Sequence, residues 1–110
     1  MRTLQFAVDG QTIRKNPDCD FSGLVAGSVG YLRANFKFSK EWFGCTKAAS
    51  FWFDGLEHAV LLDELDSCMI PEKALSGEQF QVAVTGVKPG FKIRTNKTRY
   101  REKFNKWFTV

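Results

Sequence analysis

A chain of 110 residues with a formal net charge of +4 has the length of one ordinary domain, with room for one core and not two. Hydrophobic residues at 44% and charged ones at 25% exclude a chain disordered throughout, and no apolar run reaches the roughly 18 residues of a membrane-spanning helix. An aromatic share of 15%, carried mostly by 11 Phe, points to an all-β core of large flat side chains.

The first segment, LQFAV, alternates at Leu4, Phe6 and Val8, the period of a strand with one dry face, and Asp9-Gly10 turns it back into QTIRK as a hairpin. That alternation stands where a secretory signal would carry its apolar core, so neither a secreted precursor nor a membrane span is expected. NPDCDFSGLVAGSVG is rich in turn residues and reads as a long connection with one short strand at Leu24 to Val25. YLRANFKFSKEW resumes the strand period, with Leu32, Ala34, Phe36 and Phe38 dry and Arg33, Asn35 and Lys37 wet, until Ser39 and Lys40 stop it. Gly44 marks the turn into KAASFWF, where Ala49, Phe51 and Phe53 alternate with Ala48, Ser50 and Trp52.

Asp54-Gly55 is the strongest short turn signal in the chain, and EHAVLLD returns from it, with Phe51 and Phe53 expected to meet Val60 and Leu62. SCMIP is a short strand ended by Pro71, and EKAL makes one helical turn before Ser76-Gly77. QFQVAVTGV alternates at Phe80, Val82 and Val84; after the Lys88-Pro89-Gly90 turn, FKIRTNK sends Phe91 and Ile93 one way and Lys92 and Arg94 the other. TRYREKFNKWF is expected to be a strand from Thr98 to Arg101 followed by a short helix or an extended arm, since Tyr100, Phe104, Trp107 and Phe108 form an apolar stripe at helical spacing. Seven or eight strands about ten residues apart favour an antiparallel β-sandwich. The expected organisation is one domain over 1–110 with a basic, aromatic C-terminal segment over 98–110.

The inventory for chemistry is thin. Cys19, Cys45 and Cys68 are widely spaced, lack a C-x-x-C pair and have only His58 as an imidazole partner, so buried free thiols in a reducing, intracellular compartment are expected and a zinc site is not. His58, near Asp54 and Glu57, reads as a polar-face strand residue and not as a catalytic base. Asp63, Glu64 and Asp66 lack the spacing and glycine of a calcium loop, and Gly23, Gly27 and Gly30 do not make a phosphate cradle. No catalytic residue, metal or cofactor is therefore expected.

Charge distribution says more. Lys88, Lys92, Arg94, Lys97, Arg99, Arg101, Lys103 and Lys106 place 8 of the 16 basic residues in the last 23 positions, against Glu102 alone. A solvated strand face and a surface for an anionic partner both account for such a run. Cations interleaved with aromatics also suit single-stranded nucleic acid, a weaker signal because the rings serve equally as core anchors. The candidate partner contacts are Lys92, Arg94, Lys97, Arg99, Arg101, Lys103, Lys106 and Trp107.

Three stretches, LRANFKFSKEWFGCTKAASF, HAVLLDELDSCMIPEKAL and FQVAVTGVKPGFKIRTNK, carry a recognisable order of landmarks: Trp42 and Gly44, then Cys68, Ile70, Pro71 and Leu75, then Val84 and Gly86, then Thr95 with Asn96. From Tyr31 onward, over about two thirds of the chain, this order resembles the immunoglobulin-like β-sandwich domains of tail and baseplate proteins of tailed phages and prophages of Gram-positive bacteria. The resemblance implies an immunoglobulin-like sandwich that acts as a protein-protein interaction module without cofactor or reaction. Its partners would be other phage structural proteins, its place the host cytoplasm during synthesis and then the virion, with Trp42 closing one end of the core and Arg33 and Lys37 free on an outer face. Oligomerisation fits the same reading. The alternative from another class is a small inhibitor of a host defence nuclease, anti-CRISPR-like, acting through its basic C-terminal end.

Overall fold

The computed structural model describes residues 1–26, 29–75, 79–100 and 105–106. Alternation and turn chemistry resolve into β1 (Arg2–Asp9), β2 (Thr12–Lys15), β3 (Val25–Ala26), β4 (Leu32–Phe38), β5 (Thr46–Phe53), β6 (Leu56–Leu61), β7 (Ser67–Met69), β8 (Phe80–Lys88), β9 (Phe91–Arg94), β10 (Thr98–Tyr100) and β11 (Asn105–Lys106), with 3-10 turns at Lys40–Trp42 and Glu72–Leu75. Seven of these strands have four or more residues, within the expected number, and four are fragments of two or three. One sheet has the order β2-β1-β4-β7; the other runs β10-β8-β5-β6, with β9 also on β8; β3 and β11 pair separately. Together they make an all-β sandwich.

The two sheets bury a common core in which Leu4, Phe6, Ala34, Phe36 and Cys68 from the first meet Ala49, Phe51, Phe80, Val82 and Val84 from the second. Each of these occupies the dry phase of its strand, which is why period two suffices to find them. Phe6 stacks on Phe36 at 5.3 Å between centroids and takes the edge of Phe21 at 5.4 Å, so the long connection after β2 is pinned by its own aromatic residue. Trp42 is fully buried and closes one end, its indole Nε1 donating to the Gly10 carbonyl at 2.9 Å.

Four expectations need correction. β1 and β4 pair in parallel, Leu4 beside Ala34 and Phe6 beside Phe36, so the sandwich is not wholly antiparallel. Phe51 and Phe53 face His58 and Leu56, while Val60 faces Ala49. The cause is the two-residue turn: Asp54 and Gly55 both have positive φ, 54° and 72°, and so tight a loop fixes Phe53 opposite Leu56. His58 consequently lies in phase with Val60 on the core side and stacks on Phe53 at 4.2 Å, instead of standing on the polar face. Arg33 is not free, since its guanidinium meets the Asp63 carboxylate at 3.2 Å. The C-terminal helix was expected over positions that, at 101–104 and 107–110, lie outside the described residues; Asn105–Lys106 between them form β11.

Candidate functional site: a basic sheet edge

β8 carries Phe80, Val82 and Val84 inward, so Gln81, Ala83, Thr85 and Val87 face outward. Across from them, Lys92 pairs with Val87, Arg94 with Thr85 and Arg99 with Gln81. All three cations therefore project from the outer face. Strict alternation would separate Arg94 from Arg99, five positions apart, onto opposite faces. A bulge prevents it: three residues, Thr95 to Lys97, lie between Arg94 and Thr98, where β8 has only Ala83 and Val84 between Thr85 and Val82.

The bulge is held by its own chemistry. The Thr95 N–H donates to the Val84 carbonyl at 3.0 Å, and the Val84 N–H donates to Thr95 Oγ1 at 3.0 Å, so a hydroxyl completes the interrupted ladder. Asn96, turned out of the strand, crosses to the other sheet. Its N–H donates to the Gln11 carbonyl at 3.0 Å and its Oδ1 accepts the Ile13 N–H at 2.9 Å. The Thr95-Asn96 landmark is thus a stitch between the sheets. Lys97 lays its ammonium 4.1 Å from the centre of the Trp52 ring, on the same outer face.

Beside this edge the outer face is built of small residues. Ser50 pairs with Ala59 on one side and Ala83 on the other, and Ala48 sits between Leu61 and Thr85. Ser50 and Ala83 are buried although they point outward, and the Ser50 hydroxyl donates to the Glu57 carboxylate at 2.6 Å. The result is a face of small residues with cations along its β9–β10 border.

Of the eight candidate contacts, the fold brings Lys92, Arg94, Lys97 and Arg99 together. Arg101, Lys103 and Trp107 lie outside the described residues, and Lys106 is placed only by its backbone, opposite Ala26 of β3. Trp52, like Trp107, is a candidate contact anchor from the sequence, but the small residues around it were missed as a surface. Their signal was legible in the outward phase of KAASFWF, which is Ala48, Ser50 and Trp52.

Elsewhere the polar groups serve structure. Asp63 Oδ1 accepts the N–H groups of Leu65 and Ser67, and Lys47 pairs with Asp66 at 3.0 Å beside an open cavity of about 280 Å³ bordered by Cys45 and Glu64. Burial pushes the Cys68 thiol up to about 12, with the Asp63 carboxylate adding to the shift. Among the described residues no cluster of three His, Cys, Asp or Glu is placed to hold a metal ion, and no helix is long and apolar enough to cross a membrane. No protein-family model matches this chain, and no curated protein matches its sequence.

Proposed function

We propose that this chain is a phage-encoded protein-protein interaction module that carries out no reaction of its own, a virion tail or baseplate component or an accessory structural protein. The observation that carries the reading is the gathering of Lys92, Arg94, Lys97 and Arg99 along one border of a small-residue sheet face. A surface of that kind buries area against another macromolecule, whereas a small substrate needs a concave, mostly apolar site. The landmark order from Trp42 to Asn96 supports a tail-protein origin. On this reading the charged border steers a complementary partner toward the face.

The test is capture with a tagged protein from lysate of infected cells after nuclease treatment, followed by mass spectrometry. Tail or baseplate proteins are the expected catch, lost when Lys92, Arg94 and Arg99 are changed to Glu. Recovery of a host nuclease instead would replace this reading with the defence inhibitor, which the same cation cluster favours because it would occlude a nucleic-acid channel.

A further inference from the structure

The five-stranded sheet has two edges of opposite charge. On one side, residues 88–99 of β8, β9 and β10 hold Lys88, Lys92, Arg94, Lys97 and Arg99 with no acid. On the other, residues 54–66, from the β5–β6 turn through β6 to its exit, hold Asp54, Glu57, Asp63, Glu64 and Asp66 with no Lys or Arg. Three strand spacings, about 14 Å, separate the two borders. Asp63 and Asp66 are partly neutralised by Arg33 and Lys47, whereas Asp54, Glu57 and Glu64 are exposed.

β6 is also an open edge. The Leu62 N–H donates to the Lys47 carbonyl, so in the alternation of the ladder the backbone groups of Glu57, Ala59 and Leu61 point away from β5, where no described strand pairs with them. Apolar side chains lie beside both borders: Leu56, Leu61 and Leu65 are 62 to 70% exposed on the acidic side, and Val87 and Phe91 are 48 and 38% exposed on the basic side. Two acidic edges brought together, or two basic ones, would repel. An acidic edge against a basic edge gains Coulomb attraction and buries leucine against valine and phenylalanine.

We infer that the protein binds a second copy of itself head to tail, the β6 edge of one copy against the β9–β10 edge of the next. Such a heterologous contact closes into a ring or extends as a filament instead of stopping at a two-fold dimer. The inference rests on the interaction reading only in treating this sheet as a contact surface. Its test uses the purified protein alone, so a failed capture from lysate and a failed self-association remain separate results.

Sedimentation velocity over a range of concentrations should give a mass rising above 12.5 kDa at about 0.05 M salt and falling toward it at about 0.5 M, where screening shortens the reach of the charges. Arg94→Glu with Arg99→Glu cuts the formal charge of the basic edge from +5 to +1 and leaves the acidic edge intact; Glu57→Lys with Glu64→Lys cuts the acidic edge from −5 to −1 and leaves the basic edge intact. Each variant alone, with its fold checked by circular dichroism, should lose self-association by about tenfold or more, and an equimolar mixture should regain it. A wild-type protein that stays monomeric at low salt would overturn the inference. So would a mixture that fails to reassociate, or loss confined to the Glu57 and Glu64 variant, which would mean an isologous β6 contact.

Discussion

A Cβ built on Gly86 would lie 2.8 Å from Cε3 and Cζ3 of Trp42 and 3.1 Å from the Cys45 Cβ, none of which is a flexible side-chain end. Trp42 and Gly86, 44 positions apart in the sequence, are therefore one contact: the indole lies flat on β8 because that strand has no side chain there. Gly86→Ala should overpack this site and cost about 1 to 3 kcal/mol, read as a lower urea midpoint at unchanged slope. Equal stability would show that the ring tilts away freely. Cys68 makes a second residue-scale case. Its thiol sits behind β4 and β7 with its pKa raised from 9.0 to about 12 by burial first and Asp63 second. A thiol reagent at pH 8 is expected to label the half-buried Cys19 and Cys45 in the native protein, and Cys68 only after denaturant is added. Because the folded state keeps this proton longer than the unfolded chain does, stability is unaffected below pH 9 and declines as pH rises toward 12.

At the scale of the element, the strand that includes β9 and β10 works only because it is broken. Its bulge keeps Arg94 and Arg99 on one face and turns Asn96 toward the β1–β2 hairpin. Asn96→Ala removes the acceptor of the Ile13 N–H, leaving a part-buried donor unpaired, and should cost about 1 to 3 kcal/mol. Thr95→Val keeps the shape but removes the oxygen that receives the Val84 N–H, and a similar loss is expected. Thermal melts followed by circular dichroism decide both. Full stability in either variant would mean that water replaces the lost acceptor at no cost. The β5–β6 hairpin shows the opposite economy of means, since the two residues Asp54 and Gly55 set its whole register.

For the whole molecule, β1 is the strand on which closure depends. It pairs with β2 on one edge and with β4 on the other, and it brings Leu4, Phe6 and Val8, each at most 2% exposed, into the core. Deleting residues 1–9 should abolish cooperative unfolding, because the chain would lose both ladders and three fully buried side chains together. A sharp melt in the truncated chain would show instead that the five-stranded sheet folds without that cover.

The residues of YLRANFKFSKEW illustrate how much the amino-acid order determined. Leu32, Ala34 and Phe36 face the core as their alternation requires, and turn pairs such as Asp9-Gly10 and Asp54-Gly55 mark where the chain reverses, because side-chain phase and positive φ are local properties. The basic run was equally plain, though not its placement. Tertiary structure alone decided that β1 lies parallel to β4, that a bulge brings four cations to one border, and that residues 54–66 become the opposite, acidic border of the same sheet. The reason is physical: strand neighbours are selected by burial and backbone pairing between distant segments, and a period of two says which way a side chain points but never which strand lies beside it.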